Sequence, residues 1–197
     1  GISVRVCCPC LTPMRFLTLL LALATSASAA ETSSYPLSAI QNGEARYASS
    51  TNRYSVAIPA GWKNVPGENM GLKENVLFHP KPVQGFACNI VFIEEPMPRK
   101  MKLSEATDAS IAFMEKNIHE FRVTERREIK GSNGVMMERV RYRGRFLQQG
   151  VTSKNIVYVI PLGEDRLLSI TVSGIEATPD TQADEADAAI TKIKLIK

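Results

Sequence analysis

Apolar side chains fall on every second position from Tyr54 through Val56 to Ile58, which predicts a strand that Pro59-Ala60-Gly61 closes. A second, short strand is predicted over 76–79 and stopped by Pro80 and Pro82. Residues 86–93 are apolar on both faces, with Phe86, Cys88, Ile90 and Phe92 opposite Ala87, Val91 and Ile93. That pattern marks an interior strand covered on both sides. The period then lengthens. Ile111, Met114, Ile118 and Phe121 recur at three- and four-residue spacing behind Ser104, a candidate N-cap, with Glu105 in the first turn, so a helix is predicted. Alternation returns over 123–130, bounded by the turn Gly131-Ser132-Asn133-Gly134. A meander of three strands follows, over about 135–147, 151–160 and 166–173, with turn signals in Gln148-Gln149-Gly150 and in 161–165. Thr178-Pro179-Asp180 opens a last helix with Pro at the first helical position, turning Ala183, Ala186, Ile190 and Ile193 inward. The order is strand, strand, strand, helix, four strands, helix. It predicts an α+β fold, an antiparallel β-sheet flanked by helices in an α/β/α sandwich.

The first residues read differently. Met14-Arg15 precedes an apolar run over 16–24 and the small residues 25–30, with an A-x-A-like site, which together make a cleavable secretory signal. The run falls short of the about 20 residues a membrane-spanning helix needs. Cleavage after Ala29 or Ala30 is expected to leave a mature chain with no transmembrane anchor, and residues 1–13 are expected to lie upstream of the true start at Met14. No Cys follows the run directly, so a lipoprotein signal is not expected. Residues 31–45 are polar and read as a flexible lead-in; 46–197 read as a single domain. The expected address is periplasmic or secreted.

Cleavage changes the chemistry on offer. Cys7, Cys8 and Cys10 leave with the signal, so Cys88 alone remains and no internal disulfide forms. On the face it shares with Phe86, Ile90 and Phe92, it reads as a buried, inert thiol. The chain carries 24 Lys+Arg and 20 Asp+Glu; losing Arg5 and Arg15 leaves 22 against 20. That near-neutral balance gives no general attraction to nucleic acid.

The charged feature that stands out is the segment MERVRYRGRF, residues 137–146, with Arg139, Arg141, Arg143 and Arg145 at every second position. In a strand the four guanidinium groups share one face, and Val140, Tyr142 and Phe146 form the core face. Two hairpin registers are open. One sets the arginines against Ile156, Tyr158 and Ile160, the other against Val157 and Val159. Both lay the stems over apolar groups while the heads reach water, and Tyr158 is a stacking partner for Arg141. Gly144 is a place for a bulge, which makes Arg145 the least secure member. The row is either the plain solvated face of a sheet or a site for an acidic protein surface, with anionic head groups as the lesser case. The arginine face has no interleaved aromatics for base stacking.

Other candidates are weaker. Glu94 and Glu95 read as solvated strand-end neighbours pointing to opposite sides, which is no catalytic pair. Glu164 and Asp165 sit in a turn, and Asp180, Asp184 and Asp187 decorate the start and exposed side of the last helix. His79 and His119 lack companions at ligand spacing, so no metal site is expected. There is no G-x-S-x-G elbow and no phosphate-cradling Gly-rich loop. Trp62, after the Gly61 turn, reads as a plug at the core edge or, alternatively, as an exposed anchor for a partner.

The segment YSVAIPAGW at 54–62 resembles the opening strand and turn of the PsbP/DcrB-like superfamily. Similar too are NIVFIEE at 89–95 leading into a helix, the long meander, and a final helix ending in an I-x-K-I-K-L phrase. The resemblance covers roughly 45–197. It implies an α/β/α sandwich that binds other proteins without a common catalytic centre, as in extrinsic photosystem subunits, a Ran-binding factor, and type VI secretion chaperones and immunity proteins. The expected function is therefore a soluble exported, non-catalytic protein-binding or adaptor module without cofactor or metal. Arg139, Arg141, Arg143, Arg145 and Trp62 are its candidate contacts with a protein partner. The alternative is a periplasmic immunity or inhibitor protein that neutralises a secreted toxic enzyme; a hydrolase stands third.

Overall fold

A computed structural model describes residues 40–41, 44–97, 99–146 and 150–196. The stretch predicted as a signal peptide, most of the predicted lead-in, the side chain of Phe146 and the predicted turn at Gln148-Gln149 fall outside the described residues. The predicted meander is present as three long neighbouring strands, β8 (Met136–Phe146), β9 (Val151–Leu162) and β10 (Arg166–Ile175). They form the middle of a seven-stranded antiparallel sheet with β4 (Lys63–Val65), β5 (Val76–Phe78), β6 (Asn89–Pro96) and β7 (His119–Lys130), in the order β4-β5-β6-β10-β9-β8-β7. A smaller antiparallel sheet, in the order β1-β2-β3-β11, joins β1 (Ile40–Gln41), β2 (Glu44–Ala48), β3 (Tyr54–Ala57) and β11 (Lys194–Leu195). Helix α1 (Leu103–Asn117) lies on one face of the large sheet, and α2 (Asp180–Ile190) lies with the small sheet on the other.

Alternation explains this layering. On β9 and β10, Ile156, Tyr158, Ile160, Leu168, Ile170 and Val172 point into the principal core, where Tyr54, Val56, Ala186, Ile190 and Ile193 meet them. Val157 and Val159 point the other way, under Ala106 and Met114 of α1. Strand β6 runs between β5 and β10 with Ile90 and Phe92 on one side and Val91 on the other, the doubly covered strand its composition predicts.

Several boundaries differ from the sequence expectation, each for a physical reason. The cap of α1 is Lys102 rather than Ser104, with the Glu105 carboxylate reaching back to the Lys102 N–H at 3.4 Å. The helix ends at Asn117, and Phe121 belongs to β7, where its ring lies 5.2 Å from that of Tyr142. The apolar spacing runs on through the break because helix and strand feed the same cluster. The irregularities fall in β7, between His119/Arg122 and Val123/Glu125, with Glu120 at φ 52°. β8 and β9 stay in register through Gly144↔Ser153, and the irregularity at the level of Gly144 lies across from it on β7, between the partners of Arg143 and Arg145. Gly144 is needed for another reason, because a Cβ there would collide with the Ile118 side chain. Pro179 is the cap of α2 rather than its first residue, and Ile193 lies beyond the helix end, fully buried on the way into β11.

Of the small sheet only β3 is anticipated by the sequence reading; its partners β1, β2 and β11 are not. Ile40–Gln41 and the start of β2 fall inside the stretch read as a flexible lead-in. Its polar residues are built into the structure. Arg46, 3% exposed, donates to the carbonyls of Ser55 at 2.9 Å and Lys192 at 3.0 Å, tying β2 to β3 and to the segment before β11. Glu74, 4% exposed, accepts from the Tyr47 hydroxyl and from the Ser50 N–H at 3.0 Å, holding its loop against the same sheet.

Candidate functional site

The β8–β9 register sets Arg139 opposite Tyr158, Arg141 opposite Ile156, Arg143 opposite Lys154 and Arg145 opposite Thr152. The arginines therefore share the face on which α2 packs, and their environments change along the strand. Arg139 is 4% exposed. It donates from Nη1 to both Asp187 oxygens of α2 at 3.1 Å and from Nη2 to Glu125 Oε1 at 2.9 Å. The Tyr158 hydroxyl also donates to Asp187. Burial, reinforced by the Asp187 charge, pushes the Tyr158 phenol up, while the Arg139 guanidinium beside Glu125 holds that carboxyl below the usual range. Arg139 is thus not part of a solvated row but a pin that holds α2 to the sheet. Asp187, expected on the exposed side of that helix, is its partner. The register sets Tyr158 directly opposite Arg139 rather than Arg141.

Further along the strand the row opens. Arg141 is half-buried, its Nε enclosed 3.5 Å from Glu125 and without a hydrogen bond among the described residues. Arg143 and Arg145 are exposed, facing Glu176 and Glu120 at 3.1 Å each. Lys154 joins them from β9 and donates to Asp180 at 2.8 Å. Arg141, Arg143 and Lys154 line a groove of about 300 Å³ against the first turn of α2, where Thr178 and Asp180 form the far wall and Ile156 and Val172 contribute apolar surface. A wider, shallower opening of about 570 Å³ continues past Arg143 and Glu176 towards Gln84 and Thr152.

Trp62 is only 6% exposed. Its Nε1 donates to Glu185 at 2.9 Å, and its ring meets His79 edge-on at 5.4 Å. It is the core-edge plug, and the alternative of an exposed anchor is corrected by that burial. The expected solvation of Glu94 and Glu95 is also corrected. Glu94 is buried, accepting from Arg166 and from Thr51 at 2.7 Å, with Arg53 3.7 Å away. Glu95 points to the other face, half-buried and without an ion pair among the described residues, and desolvation raises its carboxyl to about 7. The Cys88 thiol is pushed up to about 12 by burial, which removes it as a nucleophile. His79 Nδ1 accepts from the Lys81 N–H at 3.1 Å, and His119 lies exposed beside Glu120. Among the described residues no three His, Cys, Asp or Glu side chains converge to hold a metal ion, and no helix is long and apolar enough to cross a membrane.

Sequence reasoning missed Lys154, Glu176 and Asp180. Each meets the arginine row through pairings distant in sequence. The only local hint was the strand register, which the alternating pattern left two ways open.

No curated protein matches the chain. Among solved structures it is similar to LpqN of Mycobacterium tuberculosis, described as involved in cell envelope biogenesis, at 14% identity and TM-score 0.59 over 78% of this chain and 91% of that one. It is similar also to PA94 of Pseudomonas aeruginosa, at 14% identity and TM-score 0.54 over 78% and 96% of the two chains. Both likenesses show a shared fold. The DcrB family matches residues 55–192, a span holding the large sheet, both helices and every residue of the groove, and the chain belongs to that family.

Proposed function

We propose that this chain is an exported, non-catalytic protein-binding module of the cell envelope, and that the open end of the arginine row is its partner surface. The observation that carries the reading is the groove at Arg141, Arg143 and Lys154, which gathers three cations at a concave, partly apolar surface. Membership of the DcrB family and the fold shared with an envelope-biogenesis protein support an envelope role. The leader over 14–30 supports export. Arg139 and Trp62 serve this surface only from behind, by fixing α2 and the core edge.

The test is the paired charge reversal Arg141→Glu with Arg143→Glu, which spares the buried pin. Crosslinking in intact cells is expected to trap a partner with the wild-type chain and to lose it with the double variant, whose circular dichroism stays unchanged. Recovery of the same partner in the same amount by the folded variant would sink the surface assignment. A phosphatase fused after residue 45 reports export separately, and an inactive fusion overturns the address.

A further inference from the structure

Asp180 is the first residue of α2, its side chain is 81% exposed, and Lys154 donates to it at 2.8 Å. Arg141 and Arg143 line the same groove, and all three cations act on its carboxyl, which they hold below the usual aspartate range, Lys154 foremost. Pro179 provides no side-chain cap, so the first turn of α2 adds its own positive end to that field. The pocket thus already contains one carboxylate, tethered by the chain itself. Without Asp180, three cations would face only Glu176 among the groove's acidic residues, an excess of two that one negative group halves.

We infer that Asp180 is a resident placeholder in a carboxylate-binding pocket, and that an Asp or Glu side chain of an acidic partner takes its place beside Lys154, Arg143 and Arg141. The inference rests on the partner-surface reading and names the chemistry of that partner. Exchange is easy because the resident contact is solvent-exposed and screened, so little is lost when one carboxylate replaces another. An anionic membrane fits less well. Glu120, Glu176 and Asp180 are interleaved with the cations and would be pressed against a uniformly negative plane. A protein segment can set a carboxylate into the groove and keep its other groups clear of those acids.

The experiment titrates fluorescein-labelled hexaglutamate into the purified chain and follows anisotropy at low salt. Asp180→Asn is expected to tighten binding by about three- to five-fold, the range one exposed charge contact supports. Lys154→Glu and Arg143→Glu are expected to lose it. Asp184→Asn is the control, since Asp184 is exposed on the same helix and does not line the groove, so its removal makes the same charge change without emptying the pocket. If Asp180→Asn loosens α2 by circular dichroism, Asp180→Ser, which suits a helix start, replaces it. Equal tightening by Asp184→Asn and Asp180→Asn would reduce the effect to net charge and overturn the inference. So would a wild-type chain and Asp180→Asn variant that both ignore the peptide, or phosphatidylglycerol vesicles that bind with the same dependence on Asp180. Should hexaglutamate fail while the Arg141→Glu, Arg143→Glu variant still loses its crosslinked partner, the partner surface stands and the carboxylate pocket falls.

Discussion

Arg139 and Arg143 occupy the same face of the same strand four residues apart, yet they do opposite work. Arg139 lies under the body of α2, 4% exposed, with Asp187 and Glu125 around its guanidinium. Arg143 lies beyond the first turn of that helix, with its side chain 56% exposed and one partner, Glu176, itself 51% exposed. Residue type and strand alternation are identical. What differs is whether a helix passes overhead. The opposite face repeats the device, because Arg126 of β7 pins α1 by pairing with Asp108 while it also holds Glu138. Each helix is thus tied to the sheet by an arginine, and the cations at the end of β8 are left uncovered.

The largest expected effect separates these roles. Arg139→Ala leaves Asp187 and the Tyr158 hydroxyl without their cation beneath α2 and is expected to destabilise the fold by about 2–3 kcal/mol in urea unfolding. The figure sits below the about 3–5 kcal/mol of a fully buried broken pair because Asp187 and Glu125 are partly wet. A loss below about 0.5 kcal/mol would show that Arg139 is no pin and would erase the contrast with Arg143.

Gly144 lies between the ordered part of the row and Arg145. Gly144→Ala would drive a methyl group into Ile118, where the chain leaves α1 for β7, and is expected to cost about 1–2 kcal/mol by the same measurement. An unchanged midpoint would mean that the closeness of β8 to the end of α1 is incidental, and with it the continuous register that carries the row to Arg145.

These cases also show what the sequence made legible. The meander, the doubly covered β6 and the inward face of α2 were readable because each buries an apolar set at a fixed period, as with Ile156, Tyr158 and Ile160. The rest of the small sheet around β3 was not, because Arg46 and Glu74 are buried through polar partners and break the apolar pattern that marks a core. Arg139 was misread for the same reason. Alternation says which face a side chain takes, whereas the element covering that face is set by contacts across the chain, here Asp187 on α2. The groove was half legible: its arginines show in the strand, but Lys154 and Asp180 join them only through the fold.

A smaller effect comes from a charge buried without a partner, the inverse of Arg139. Glu95 is raised by desolvation to about 7, above its unfolded value near 4.5. Between those values the folded chain binds the extra proton, so this carboxyl's contribution to stability is full below about 4.5 and is lost as pH rises through about 7. Because the group is half wet, the expected loss is about 1 kcal/mol, less than the bare shift implies. Glu95→Gln should remove that slope, stabilising the protein at pH 8 and leaving it little changed near pH 4.5. Parallel pH profiles for variant and wild type would deny that Glu95 is strained.

The smallest expected effect is the most informative for the row. Arg143→Ala should shift stability by no more than about 0.5 kcal/mol, since an exposed pair with Glu176 is screened and replaceable by water. The same variant should weaken hexaglutamate binding, and added salt should narrow the gap to wild type because screening acts on both chains. If Arg143→Ala instead unfolds the protein as readily as Arg139→Ala, Arg143 is a second structural pin and the free end of the row must begin beyond it. A stable variant with impaired binding places the boundary between scaffold and surface between Arg139 and Arg143, where α2 ceases to cover the strand.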